Sequence, residues 1–233
     1  MYIIVSASID KQALRTLEQY GEPLLFKGSN TVYPAISKHP DIFLCYTGQQ
    51  LIIAPELYES FCNTFSNLPV EMVQGYSRNE AEYPQTAHYN AVCTATHIIH
   101  NLKYSDGAIK NACATKKSLH VTQGYTRCNL LPLSSNAFIT SDKGIEVALY
   151  KNDMKVLYVN PANIRLSGFK HGFFGGCCGI ADNNLLLNGS LNSFEEKKAI
   201  EEFAGLHDFN IIELANRPAE DVGSMLCITG RRE

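Results

Sequence analysis

The chain has 233 residues, of which 45% are apolar and 18% are charged, and its net charge is -3. This composition excludes a disordered or fibrous chain and leaves enough apolar side chains for one large domain or two small ones. The small negative charge argues against a nucleic-acid-binding surface and against attraction to an anionic membrane.

The cysteines and the N-terminal residues together predict the compartment. The first ten residues contain no cationic segment and no long apolar run, so neither a secretory signal nor a membrane helix is expected. Eight cysteines without a secretory signal are typical of free thiols in a reducing compartment. We therefore predict a cytoplasmic protein that binds neither membrane nor nucleic acid.

Five short amphipathic helices are predicted along the chain, beginning near residues 11, 55, 105, 143 and 193. Asp10 precedes the first helix, and Pro55 begins the second, as these residue types often do at helix N-termini. The fifth helix opens with Ser193 and Glu196, which have the spacing of a capping box.

Short apolar, β-prone runs flank each predicted helix, as Ile3–Val5 and Leu24–Phe26 flank the first. A further run, such as residues 42–45, lies upstream of most of these pairs. Gln74-Gly75-Tyr76 recurs as Gln123-Gly124-Tyr125, which supports an internal repeat. The repeating unit is strand–strand–helix–strand, about 47 residues long.

The two ends of the chain predict how the units are arranged. The first unit lacks its leading strand, and residues 225–228 form a strand without a unit. If the units close into a ring, the C-terminal strand completes the first unit and fewer sheet edges stay exposed. We predict one α/β domain, a five-bladed α/β propeller over residues 1–233. Its units cover residues 1–30 with 221–233, 39–75, 86–124, 125–160 and 168–215.

Five such units, closed by the C-terminal strand, resemble the pentein fold of guanidino-group-modifying enzymes and of a ribosome anti-association factor. Thr126–Asn129 and the following strand resemble a segment of the deiminases and, in part, of that factor. Gly223–Thr229 resembles the C-terminal segment that contains the agmatine deiminase nucleophile. The pattern with His39–Asp41 and Gly172–Gly176 also looks like an uncharacterised bacterial group of this fold.

The resemblance implies a hydrolase or deiminase acting on a small guanidino, amidine or related molecule. By the resemblance, Cys227 is the nucleophile and His171 is the acid or base. In such a ring the leading strands line a central channel, where a small-molecule ligand would lie. Carboxylates there could pair with a planar guanidinium. The candidate substrate-binding residues at the starts of these strands are Asp41, Asn90, Arg127 and Asp221.

Two positions depart from the deiminase pattern, because Cys128 and Phe173 stand where acidic residues are expected. A buried guanidinium without its carboxylate partners is strongly unfavourable. The alternative is a non-catalytic pentein that binds a ligand or a protein, with Cys227 as a core thiol in an apolar strand. No cofactor is expected. No metal site is predicted either, because Cys177-Cys178 lacks the CxxC spacing.

Overall fold

The chain folds into an α/β structure with short strands. The computed structural model describes residues 1–229, and residues 230–233 of the predicted domain lie outside the described residues. The strands in residues 1–229 are β1 (Tyr2–Ser6), β2 (Glu22–Phe26), β3 (Leu44–Tyr46), β4 (Gln50–Ile53), β5 (Glu71–Gln74), β6 (Val92–Cys93), β7 (His97–His100), β8 (Lys117–His120), β9 (Leu130–Pro132), β10 (Ala137–Thr140), β11 (Lys155–Tyr158), β12 (Cys178–Ala181), β13 (Asn184–Leu187), β14 (Asn210–Glu213) and β15 (Leu226–Ile228).

Side chains at the N-termini explain where several helices begin. Asp10, Asp106 and Asp142 each accept a hydrogen bond from a backbone N–H of the first turn, which would otherwise lack a partner. The helix at Pro55 begins with a residue that has no N–H to leave unpaired. The α-helices of the described residues are α1 (Lys11–Leu17), α2 (Pro40–Phe43), α3 (Pro55–Thr64), α4 (Gly107–Ala112), α5 (Thr126–Asn129), α6 (Lys143–Tyr150) and α7 (Lys197–Gly205).

The described strands form five three-stranded sheets with one shared topology. In each sheet the first strand pairs antiparallel with the middle strand, and the middle strand pairs parallel with the third. A helix connects the middle strand to the third, because a parallel pair needs a crossover connection. The sheets, in strand order, are β15–β1–β2, β3–β4–β5, β6–β7–β8, β9–β10–β11 and β12–β13–β14.

The C-terminal strand completes the first sheet. β15 runs antiparallel to β1, with Cys227 opposite Ile3 and Ile228 opposite Tyr2. In the next sheet the equivalent pair, β3 and β4, is joined by a short turn over residues 47–49. The first sheet therefore depends on residues from both ends of the sequence.

The fifth predicted helix begins later than expected, and the predicted capping box is wrong. Helix α7 begins at Lys197, whereas Ser193 ends a 3₁₀ turn. The Ser193 hydroxyl accepts the N–H of Ala219 at 2.8 Å, and the Glu196 carboxylate accepts the N–H of Asn160 at 3.1 Å. Both side chains thus bind other segments, because tertiary partners override a local capping preference.

The core lies along the middle strands, which the flanking strands and helices cover. Ile3–Val5, Leu51–Ile53 and Leu185–Leu187 are fully buried. In the part of the chain that the structure describes, no helix has both the length and the apolar character needed to cross a membrane.

Candidate functional site

Short segments that directly precede the first strand of each sheet meet at one junction. The Asp41 N–H donates to the Gly223 carbonyl at 3.2 Å, and the Asn90 side-chain amide donates to the Asp41 carbonyl at 3.0 Å. The Arg127 N–H donates to the Asn90 carbonyl at 3.0 Å. Each sheet thus contributes one segment to the junction. The segments cover residues 39–43, 88–90, 126–129, 173–177 and 221–224.

Asp41 lies at the centre of the junction and is fully buried. Its Oδ2 accepts hydrogen bonds from the Ser224 hydroxyl at 2.5 Å and from the Cys128 thiol at 3.1 Å. Its Oδ1 has no hydrogen-bond partner among the described residues. Burial raises the pKa of Asp41, because the ionised carboxyl loses its hydration. Asp41 is therefore a hydrogen-bond acceptor with unused capacity in a dry environment.

Cys128 is a site residue that the sequence reasoning missed. Its thiol donates to Asp41, and its sulfur accepts the Asn90 side-chain amide at 3.2 Å. Asn90 Oδ1 accepts the Cys128 N–H at 3.1 Å, which fixes the position of the segment. Burial, and after it the Asp41 charge, raises the pKa of the Cys128 thiol. The available signal was its place after Arg127, where the resemblance expects an acidic residue.

Asp221 is the second buried carboxyl of the junction. Its Oδ1 accepts the Gly223 N–H and its Oδ2 accepts the Phe173 N–H, both at 3.0 Å. Burial raises the pKa of Asp221 to about 7, although these two amides and the Arg127 charge lower it. A Cβ at Gly176 would lie 2.1 Å from Asp221 Oδ1, so a glycine is needed for this close approach.

His39 is buried beside Asp221, with 3.7 Å between His39 Nδ1 and Asp221 Oδ1. This nitrogen has no hydrogen bond within residues 1–229, and burial lowers the pKa of the His39 ring. Gly223 has a φ of +74°, and a Cβ there would lie 2.1 Å from the His39 Cβ. His39 and Asp221 thus form a pair in which a neutral imidazole lies next to a carboxyl with a pKa of about 7.

His39, Cys128 and Asp221 line a cavity of about 100 Å³. It adjoins a larger cavity of about 630 Å³, and both are lined by His39, Asp221, Tyr33 and Phe169. The Tyr33 and Phe169 rings lie 5.7 Å apart, and Phe169 is 53% exposed. We call the two cavities together the Asp221 cleft. The smaller cavity adds Cys128 and His171 to its polar lining.

His171 contributes an imidazole to the Asp221 cleft and is half-buried. Its Nδ1 lies 2.9 Å from the Gly172 carbonyl. A carbonyl can only accept, so Nδ1 donates its proton and the neutral ring has its lone pair on Nε2. The ring packs edge-on against Phe173 at 5.8 Å. His171 can therefore act as a base toward a group in the cleft.

Cys227 lies in a different place. It is on β15, half-buried, and lines a separate cavity of about 130 Å³, which we call the Cys227 cavity. Burial raises the pKa of Cys227 to about 12, although the Arg127 charge lowers it. Within residues 1–229 no histidine lines this cavity, and the His171 ring bonds to Gly172 instead. The two residues to which the resemblance assigns catalysis thus line different cavities.

Arg127 lies next to the Cys227 cavity rather than in the Asp221 cleft. Its guanidinium donates to the Gly175 carbonyl at 3.0 Å and to the Cys178 carbonyl at 3.2 Å. These bonds hold the loop before β12 and occupy two donors that a ligand would need. The other predicted substrate-binding residues lie in the Asp221 cleft or contact its lining, and they are Asp41, Asn90 and Asp221.

Metal binding is another chemistry that buried carboxyls and thiols can support. Among residues 1–229, no three His, Cys, Asp or Glu side chains are placed to share a metal ion. Cys177 and Cys178 are both fully buried, and the Cys177 thiol donates to the Phe173 carbonyl at 3.4 Å. These two residues therefore pack in the core.

Three solved structures with similar folds are guanidino-group-modifying enzymes. The chain is similar to SxtG, an amidinotransferase from Microseira wollei, with a TM-score of 0.56, 10% identity, and coverage of 100% of this chain and 95% of that chain. For agmatine deiminase from C. jejuni these values are 0.56, 10%, 91% and 86%. For DDAH from Pseudomonas aeruginosa, complexed with citrulline, they are 0.55, 9%, 95% and 92%. The chain therefore has the α/β pentein fold.

The family is given by the sequence. The model of a family of unknown function, DUF6873, matches residues 4–226, and the chain belongs to that family. A search of the curated proteins finds no match. Because a shared fold does not fix an activity, the function has to be argued from the site.

Proposed function

We propose that the five sheets are the blades of a closed α/β propeller. The Cys227 cavity supports this arrangement, because the first strand of every sheet contributes to its lining. The pairing of β15 with β1 supports it further, because it links the last segment of the chain to the first. In this arrangement the Asp221 cleft and the Cys227 cavity are successive parts of one central channel.

We propose that the protein binds a small guanidino or amidino cation in the Asp221 cleft and hydrolyses one of its carbon–nitrogen bonds. The main support is the buried Asp221, which lines a cleft together with the rings of Tyr33 and Phe169. A carboxylate binds a planar guanidinium through charge-assisted hydrogen bonds, and aromatic faces attract cations. A bound cation would also favour the ionised form of Asp221 and so offset its burial.

The contacts of Cys128 and Phe173 support this proposal, although both depart from the deiminase pattern. Asp221 accepts the backbone N–H of Phe173, and Asp41 accepts the Cys128 thiol. A carboxyl group thus lies against each position where the sequence lacks an acidic residue. Both carboxyls come from other segments of the chain, so the site has acidic groups that the local sequence does not reveal.

The proposed reaction converts a guanidinium and water into a ureido group and an ammonium ion. His171 is placed to accept a proton from water, because its Nε2 has the free lone pair. The resemblance assigns the nucleophile to Cys227, which lines the next part of the channel. That assignment stays a prediction, and labelling of the individual thiols tests it.

Isothermal titration calorimetry with agmatine and N-carbamoylputrescine, in which an uncharged ureido group replaces the guanidinium, tests the cation site. Agmatine should bind at least about 10-fold more tightly, because a charge-assisted hydrogen bond is worth about 1.5–3 kcal/mol. Asp221→Asn should remove most of this preference, whereas the exposed Glu195→Gln should keep it. Equal affinity of the wild-type protein for the two compounds would contradict the proposal. Release of ammonium from agmatine reports hydrolysis separately.

A non-catalytic ligand-binding pentein is the second candidate. One observation favours it, because burial raises the pKa of both Cys128 and Cys227 and so keeps their sulfur atoms protonated. This candidate predicts the same preference for the cation and the same effect of Asp221→Asn, but no release of ammonium. The calorimetric and ammonium measurements together therefore distinguish an enzyme from a binding protein.

A further inference from the structure

We propose that Cys128 is the nucleophile of the Asp221 cleft and that Asp41 is the base that takes its proton. This inference rests on the proposed function and assigns the reacting thiol within it. Cys128 lines the same cavity as Asp221 and His171, whereas Cys227 lines another. A thiol can attack only a carbon that it can reach, so a ligand held by Asp221 would meet Cys128 first.

The hydrogen bonds of Cys128 are those that an activated thiol requires. Asp41 Oδ2 lies 3.1 Å from the sulfur and accepts its proton, while the Asn90 side-chain amide donates to the sulfur at 3.2 Å. The first contact provides a base, and the second stabilises a developing thiolate. The Ser224 hydroxyl donates to the same Oδ2 and holds the carboxyl in place for this transfer, while Oδ1 is unpartnered in the described structure.

The position of Asn90 is itself fixed by its neighbours. Its Oδ1 accepts the Cys128 N–H at 3.1 Å, and its amide donates also to the Asp41 carbonyl at 3.0 Å. Asn90 thus holds the nucleophile and the base in one geometry, which makes it a positioning residue. Such preorganisation of the reacting groups lowers the barrier to attack.

The first half of the reaction exchanges the thiol for an amine. The Cys128 S–H proton moves to Asp41 as a sulfur lone pair forms the S–C bond and the C=N electron pair moves onto nitrogen. Asp41 then returns the proton to one amino group, the C–N bond breaks, and ammonia leaves. The product is a positively charged thiouronium attached to Cys128, so the charge of the cation is conserved.

The second half consumes water. The His171 Nε2 takes a proton from water as the water oxygen bonds to the thiouronium carbon. The C–S bond then breaks with its electron pair on sulfur, and Cys128 recovers a proton from His171. The ureido product leaves, and the proton released from the substrate cation joins ammonia as ammonium. Cys128, Asp41 and His171 thus return to their starting protonation states.

Covalent labelling with a matched pair of reagents tests the assignment. 2-Chloroacetamidine presents a cationic amidine next to a reactive carbon, and 2-chloroacetamide is its neutral counterpart. Peptide mapping by mass spectrometry should find the amidine adduct on Cys128, formed at least about 10-fold faster than the amide adduct, because only the cation gains from Asp221. Agmatine should slow this labelling.

Labelling of three variants shows whether Cys128 reacts independently of Cys227 and depends on Asp41. The Cys128 adduct should persist in Cys227→Ser, stay at the wild-type rate in Cys62→Ser, and form at least about 10-fold more slowly in Asp41→Asn. Circular dichroism and the unfolding midpoint show whether Asp41→Asn is folded, and the wild-type map alone decides the site of attack. An adduct on Cys227, or equal labelling of all thiols, would overturn the assignment.

Agmatine binding and the site of the adduct together distinguish a different nucleophile from a missing cation site. If agmatine binds and protects but the adduct forms on Cys227, the cation site stands and the assignment of Cys128 is wrong. If agmatine neither binds nor protects, and the amidine and the amide react equally, the cation site itself is absent. A Cys128 adduct that forms rapidly and is slowed by agmatine supports both.

Discussion

Asp221 is deeply buried, which favours its protonated form, and it accepts hydrogen bonds that favour its ionised form. The balance of these two effects sets its pKa. The Gly223 and Phe173 amides and the Arg127 charge lower its pKa, but burial outweighs them and raises the pKa to about 7. The carboxyl therefore changes charge in the pH range where most enzymes work. A small change in its surroundings, such as a bound cation, is enough to shift this equilibrium.

The ligand-free protein should become less stable as pH rises toward 7. Between the ordinary pKa of 3.8 and about 7, folded Asp221 keeps a proton that the unfolded chain has released. The free energy of unfolding therefore falls with rising pH through this window. Urea unfolding at pH 5 and pH 8 measures the difference.

The same measurement on Asp221→Asn separates the contribution of Asp221 to this pH dependence from those of other buried groups. Asp41 contributes in the same direction and His39 in the opposite direction, because burial raises the pKa of the first and lowers that of the second. Asp221→Asn should therefore show a weaker loss of stability between pH 5 and pH 8 than the wild-type protein. An unchanged difference between the two pH values would show that Asp221 does not titrate in this range.

Asn90 should matter for stability more than its size indicates. It is fully buried and bonds to Asp41 and Cys128 through both ends of its side-chain amide. Asn90→Ala leaves buried polar groups without partners, so we expect a loss of about 1–3 kcal/mol in the free energy of unfolding. The exposed Asn183→Ala is the matched control and should change it by less than about 0.5 kcal/mol.

At the scale of elements, local signals predicted the helices well where a single residue decides the boundary. Asp10 and Asp142 cap α1 and α6, close to the predicted starts. Ser193 and Glu196 failed as a capping box, because Ala219 and Asn160 compete for their side chains. Those partners are distant in sequence, so spacing alone could not reveal them.

The candidate site was predicted only in part, for a similar reason. Asp41 and Asp221 were chosen from their positions before strands. Each accepts a hydrogen bond from another segment: Asp41 from the Cys128 thiol at 3.1 Å, and Asp221 from the Phe173 N–H at 3.0 Å. The role of Cys128 depends on Asp41 and Asn90, which come from two other sheets. A sequence motif contains residue types in order, but not the angle at which separate loops meet.

The loop before β12 should not tolerate a side chain at Gly176. An alanine Cβ there would meet Asp221 Oδ1 at 2.1 Å, and hydrogen bonds from the Gly223 and Phe173 N–H groups hold that carboxyl in place. We expect Gly176→Ala to reduce the free energy of unfolding by about 1–3 kcal/mol, as overpacking does.

Gly205→Ala in α7 is the control for this substitution. No atom lies within 4 Å of its added Cβ, and alanine is the better helix former, so stability should stay equal or rise by about 0.5–1 kcal/mol. Urea unfolding of both variants gives the comparison. Equal stability of Gly176→Ala and the wild-type protein would show that the loop can shift to admit the side chain.

For the whole molecule, the pairing of β15 with β1 replaces a connection that other sheets make by a turn. In the second sheet, residues 47–49 join β3 to β4, and Gly48 there has no neighbour within 4 Å of an added Cβ. In the first sheet the start of β1 and the end of β15 occupy the equivalent position, with Tyr2 opposite Ile228. New chain ends placed in the β3–β4 turn, with the original ends joined, should therefore leave all five sheets intact.

A circular permutant tests this equivalence. Its original ends are joined and its new ends are placed at residues 47–49, so every strand pair of the wild-type protein can still form. We expect its free energy of unfolding to lie within about 1 kcal/mol of the wild-type value, because only two short loop closures are exchanged. A permutant opened within β4, whose Leu51–Ile53 are buried, should not fold.

The same pairing has a consequence for synthesis on the ribosome. β1 is synthesised before the strands of the other four sheets, and its antiparallel partner β15 is synthesised after them. At roughly 5–20 residues per second, the first sheet stays incomplete for about 10–45 s. During this interval one edge of β1 presents unpaired N–H and C=O groups, which can pair with strands of other nascent chains. We therefore expect the nascent chain to be most prone to aggregation between the emergence of β1 and that of β15.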